Sequence, residues 1–138
     1  MTAPTNEIHE FLIEELQERR KQFTDFVFRH GAFNCLIAGW LLSSQPAQQF
    51  LKVVPLEVRV AFGLLLAVYG LYFALWVIYE VRASREIFRR LSSTGYMESS
   101  LYRHLLIQPW FATTIAVLHV LFCIVMVYML NVLPSILK

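Results

Sequence analysis

Few side chains in this sequence could do chemistry. There are four histidines, His9, His30, His104 and His119, and two cysteines, Cys35 and Cys123. A metal site needs ligands whose spacing brings them to one point, and no pair of these histidines has such spacing. Haem held by two histidines would need both at one depth on facing helices. Only His30 and His104 could be level, and nothing else in the sequence supports that ligation. Both cysteines fall in apolar runs, where cysteine acts as a small apolar residue, so neither a disulfide nor a nucleophile is expected. A serine, histidine and carboxylate constellation is also missing; Glu80 with His104 is too little to define a reaction. The expectation is a non-enzymatic protein with no catalytic residue, metal or cofactor.

What remains is a set of polar groups inside apolar stretches. Asn34 and His119 each lie eight or nine residues into a long hydrophobic run, roughly 12–14 Å along a helix at 1.5 Å per residue. Tyr72 falls at a similar depth in an antiparallel run. Together they predict one intramembrane polar layer, Asn34, Tyr72 and His119. Such groups either clamp helices by hydrogen bonds or line an ion or proton path. No Asp or Glu lies within the two strong runs, which disfavours a proton-coupled transporter, and three spans do not supply an inverted repeat.

The elements that must position this layer follow from composition. Of 138 residues, 57% are hydrophobic and 16% charged, against roughly 45–50% and 25% in soluble domains. The 12 basic residues barely exceed the 10 acidic ones, so no nucleic-acid partner is expected. Val60–Tyr79 and Trp110–Leu130 are each long enough to cross a bilayer as helices. Pro109 opens the second of these and Pro134 follows it.

A weaker run, 26–44, contains Arg29 and His30 near its start, from where an arginine can snorkel to the headgroups. Charge decides between a span and a re-entrant segment. If all three runs cross, nine Lys/Arg fall on one side and three on the other, as the positive-inside tendency prefers. The predicted fold is therefore all-α, a polytopic membrane protein with three transmembrane helices, in a bacterial-type inner or plasma membrane, N-terminus cytoplasmic and C-terminus outside. Trp40 and Tyr128 would then mark the outer interface, and Trp76, Tyr79 and Trp110 the inner one. Glu7, Glu10, Glu14 and Glu15 stand where a signal peptide would be basic, so none is expected.

Two cytoplasmic arms complete the plan. Residues 6–24 read as an amphipathic helix with a stripe of Ile8, Phe11, Leu12 and Leu16. The second span, 60–79, continues as a helix to 91 and presents a basic face, Arg82, Arg85, Arg89 and Arg90. Ser92-Ser93-Thr94-Gly95 ends it, and a short helix over 97–107 leads back to the membrane. Arg29 and Glu80 could pair at the interface, the acidic half of the first arm could meet the arginine face of the second, and that face could bind anionic lipid headgroups.

Close packing within the bilayer depends on small residues. The predicted seams are Gly31, Cys35 and Gly39 in the first span, Gly63, Ala67, Gly70 and Ala74 in the second, and Ala112, Ala116 and Cys123 in the third. Ala116, His119 and Cys123 share a face, which turns His119 inward. The function expected is that of an accessory or assembly component, a homo-oligomer or a subunit of a membrane complex. The alternative is an oligomeric pore gated by the arms. In layout, Glu7 to Leu91, with Gln17-Glu18-Arg19-Arg20-Lys21 before the first span and Arg82 to Arg90 after the second, resembles the bacterial effector class called SLATT, a transmembrane hairpin flanked by cytoplasmic helices. That resemblance implies the pore reading; the third span departs from it.

Overall fold

The computed structural model describes residues 3–93 and 99–136. Four α-helices and one 3₁₀ segment follow one another: α1 (Ala3–Ser43), α2 (Gln45–Val53), α3 (Leu56–Ser93), a 3₁₀ helix (Ser99–Leu105) and α4 (Pro109–Ile136). No strand occurs among the described residues. The expected first arm and first span are one helix, because nothing between residues 20 and 30 breaks the backbone ladder: no proline, no glycine and no capping turn. After residue 44, where the sequence pattern assigns no element, Ser44 caps α2, its hydroxyl accepting from the Ala47 amide at 3.4 Å, and Pro46 occupies the first turn. Ala47 and Leu51, four residues apart, are buried. Arg59 then donates to the Val54 carbonyl at 3.2 Å, closing the turn before α3.

The expected short helix over 97–107 is a 3₁₀ helix over Ser99–Leu105, and residues 97 and 98 lie outside the described residues. The final helix runs past its expected end at residue 130 to Ile136.

Two stretches are long and apolar enough to cross a membrane: the most apolar 18-residue segment of α3 has a mean hydropathy of 2.1, and that of the Tyr102–Val132 stretch, which includes most of α4, has 2.5. Only 17% and 22% of their most apolar segments are buried within the molecule. A core helix of a soluble protein is mostly buried, so these surfaces need an apolar surrounding of another kind.

The chain divides into two compact units. One comprises residues 1–27 and 76–114. Its core is Leu12 and Leu16 from α1 with Ile87 and Leu91 from α3 and Leu105 from the 3₁₀ segment. The stripe expected on the first arm is rotated: Leu12 and Leu16 are buried, whereas Ile8 and Phe11 are exposed and His9 takes an inward place. The inward line His9, Leu12, Leu16 and Phe23 follows spacings of 3, 4 and 7, a narrower seam than the sequence stripe suggested. Phe23 stacks on Trp76 at 5.5 Å and 9°. Ser84 is fully buried, and its hydroxyl accepts from the Ile107 amide at 3.3 Å, which ties the return segment to α3.

The other unit comprises residues 28–75 and 115–138. Its buried side chains are Asn34, Ala47, Leu51, Val54, Phe73, His119, Cys123, Met126 and Leu130. Its outward surface is rich in exposed large apolar residues, among them Phe33, Trp40, Leu65, Leu71, Leu118 and Ile124.

Candidate functional site

The polar groups of the second unit converge on His119. Three helices each contribute a pair of side chains four residues apart, the spacing that puts both on one helical face. These are His30 and Asn34 on α1, Tyr69 and Phe73 on α3, and His119 and Cys123 on α4. The Asn34 amide nitrogen lies 3.1 Å from His119 Nδ1. If it donates there, the neutral imidazole carries its proton on Nε2, which faces Cys123 Sγ at 3.8 Å. Each ring nitrogen then has one partner. The imidazole also stacks on Phe73, with centroids 4.0 Å apart at 25°, and meets Tyr69 edge-on at 4.8 Å. His30 contacts the same two aromatic rings, at 5.9 Å from Tyr69 and 5.7 Å from Phe73.

Of the predicted polar layer, Asn34 and His119 come together and Tyr72 does not. Tyr72 is 62% exposed, and Tyr69 occupies the place expected for it. Depth along the span was similar for both tyrosines, but three residues along a helix rotate a side chain by about 60°. Only Tyr69 shares the inward face with Phe73. His30 and Tyr69 were missed, and the four-residue spacings of His30 to Asn34 and Tyr69 to Phe73 were the signal that could have found them.

The small-residue seams divide in the same way. A Cβ on Gly70 would lie 3.3 Å from Cys123 Sγ, so the glycine permits the close approach of α3 to α4. Gly63 faces Val127 less tightly, at 3.8 Å. Gly70, Ala112 and Cys123 are buried, Gly63, Ala74 and Ala116 half-buried, and Ala67 exposed. Ala67, Gly70 and Ala74 line a shallow apolar groove of about 400 Å³ with Val120, Cys123 and Val127. The first seam is not packed within the chain. Gly31, Cys35 and Gly39 are all exposed, and a Cβ at either glycine would meet nothing within 4 Å. The face that α1 turns inward is that of His30 and Asn34, so the glycines point away.

In the first unit, Glu80 takes a different partner from the expected Arg29: it accepts from Arg19 at 3.3 Å, and Arg19 also pairs with Glu15 at 3.5 Å. Phe23 on Trp76 sets an antiparallel register in which Glu80 faces Arg19, and Arg29 lies ten residues, nearly three turns, further along α1. Burial works against the Arg19 charge, but Glu80 and Glu15 outweigh it and hold the guanidinium above its ordinary pKa. On the basic face, Arg89 and Arg90 both bind Glu86, at 2.9 and 3.2 Å. Their hydrogen bonds hold the Glu86 carboxyl below its usual range. Arg82 and Arg85 are exposed. The expected pairing of the first arm's acidic half with the arginine face is therefore replaced by Arg19 with Glu80 and by pairs within α3 itself.

Among the described residues, no group of three or more His, Cys, Asp or Glu side chains could hold a metal ion. Compared with known protein families, with curated proteins and with solved structures, the chain matches none.

Proposed function

We propose that the protein is a small integral membrane protein that acts, without enzymatic activity, as an accessory or assembly component. In this reading 26–44, α3 and α4 cross a bacterial-type inner or plasma membrane, with the N-terminus cytoplasmic and the C-terminus outside. The chain docks through its small-residue faces, to further copies of itself or to another membrane subunit, and its two arms, residues 6–24 and the segment that follows residue 79, stand at the cytoplasmic side.

The observation that carries the proposal is the use made of the polar groups. Asn34, His119 and Cys123 are turned on one another and buried, as a packing clamp requires. The exposed surface of the same unit is apolar, which favours lipid or another helix as its neighbour. An oligomeric pore gated by the arms is the competing reading. It requires polar groups free to line a path, and the Asn34 to His119 pairing weighs against it.

Native mass spectrometry of the full chain, extracted from its membrane in a mild detergent, tests the proposal. A homo-oligomer or a stoichiometric companion is expected, and a chain that runs only as a lone monomer contradicts it. Planar-bilayer recordings are expected to be silent; a conductance abolished by His119→Leu would establish the pore instead.

A further inference from the structure

One face of α3 changes its chemistry within a single turn. Leu71, Leu75, Ile78, Arg82, Arg85 and Arg89 repeat at spacings of 4, 3, 4, 3 and 4, so they form one continuous stripe. All six are exposed. The stripe lies opposite the buried line of Phe73, Val77, Ser84 and Leu91. Up to Ile78 it is aliphatic, and from Arg82 onward it is guanidinium. Tyr79, also exposed, stands beside the changeover, where interfacial aromatics are favoured.

The arginines of the stripe are not equivalent. Glu86 binds both Arg89 and Arg90 and offsets half of their combined charge. Among the described residues, neither Arg82 nor Arg85 takes part in an ion pair, since those ion pairs engage Arg19, Arg89 and Arg90. The two uncompensated cations are therefore the ones next to the apolar stretch. Their side chains are three residues apart and project from one face, which suits two guanidinium groups to a shared phosphate.

We infer that Arg82 and Arg85 form a binding site for the headgroup of an acidic phospholipid, with Ile78 and Leu75 lying against its acyl chains. Arg89 and Arg90 are not part of it. The inference rests on the membrane reading proposed above and deepens it. It commits to a lipid because the anion site and the apolar stripe are continuous on one helix face; a free phosphate would use only the first.

The test uses the full chain in detergent with equal amounts of phosphatidylglycerol and phosphatidylcholine, and native mass spectrometry reads the lipid retained. The wild type is expected to retain phosphatidylglycerol preferentially. Arg82→Gln with Arg85→Gln should weaken that retention by about 25-fold, at roughly fivefold for each basic residue near an anionic surface. Arg89→Gln with Arg90→Gln should change it by less than about twofold, and Arg82→Lys with Arg85→Lys should fall between the wild type and the glutamine pair, because the ammonium groups keep the charge but not the forked donors. Equal losses in the two glutamine pairs would overturn the site in favour of diffuse charge. Millimolar inorganic phosphate is expected not to displace the lipid; displacement would overturn the lipid assignment. Circular dichroism of each variant should match the wild type, since all four side chains are exposed.

Carbonate extraction separates the inference from the reading beneath it. If the chain stays in the membrane pellet but the glutamine pair binds lipid as the wild type does, only the headgroup site fails. Release of the chain into the supernatant removes both.

Discussion

The pairing of Asn34 with His119 makes a quantitative claim about coupling. Both side chains are nearly inaccessible, at 8% and 6% exposure, and their nitrogens are 3.1 Å apart. His119→Leu removes the stacking on Phe73, worth about 0.5–1.5 kcal/mol. It also leaves the Asn34 amide buried without its partner, which costs about 1–3 kcal/mol. The expected loss is therefore about 1.5–4.5 kcal/mol. Asn34→Leu orphans His119 Nδ1 and should cost about 1–3 kcal/mol for the same reason. In the double variant neither orphan remains, so its loss should fall short of the sum by the two orphan costs together, at least about 2 kcal/mol. Hydrogen bonds between membrane helices average about 0.6 kcal/mol in measured cycles and reach about 1.7, so this coupling lies just above the top of that range. Equilibrium unfolding of the four proteins in mixed micelles reads the cycle. Additivity within about 0.3–0.5 kcal/mol would refute the clamp, because uncoupled sites add to that precision.

Four further outcomes are expected. Gly70→Ala should destabilise the fold by about 1 kcal/mol despite alanine's helix preference, because its Cβ meets Cys123 Sγ at 3.3 Å, and adding Cys123→Ala should recover the loss in the same unfolding assay. Gly39→Ala meets nothing within 4 Å and should leave the isolated chain as stable or up to about 1 kcal/mol more so, while weakening its association in native mass spectrometry. Ser84→Ala removes the acceptor of the Ile107 amide and should cost about 1–3 kcal/mol, with faster hydrogen exchange over 99–108. The lowered Glu86 carboxyl predicts that its pairs with Arg89 and Arg90 support the end of α3 above the ordinary carboxylate range and are lost as pH falls through the lowered value. Faster exchange over 86–93 on acidification, absent in Glu86→Gln, is the expected signature; its group is exposed, so the effect is local.

The sequence made the two strong apolar runs legible because each is long enough to cover the hydrocarbon core of a bilayer, about 30 Å, without a charge, and α3 and α4 contain both. Asn34 and His119 were legible for a similar reason: a polar group in an apolar helix must find a partner, and each was the most polar residue at its depth. Tyr72 was misplaced because depth fixes only one coordinate; the azimuth that selects Tyr69 depends on which face of α3 is turned inward, and that face is set by Phe73 and Gly70 against α4. The same ambiguity affected Gly31 and Gly39, whose spacing says that some helix could approach but not from which chain. Glu80 was assigned to Arg29 by proximity to the interface, whereas the stacking of Phe23 on Trp76 sets a register that offers Arg19. The helix α2 went unread because nine residues with two buried positions give too short a pattern to separate from a loop.

The account stands on α3 crossing the bilayer, and accessibility on its two sides tests that most directly. In a chain carrying Cys35→Ser and Cys123→Ala, single cysteines placed by Gln49→Cys before α3 and Ser93→Cys at its end would be treated with a membrane-impermeant maleimide on intact cells. The account predicts labelling of the first from outside and of the second only after the membrane is opened. Labelling of both sites from the same side would contradict it.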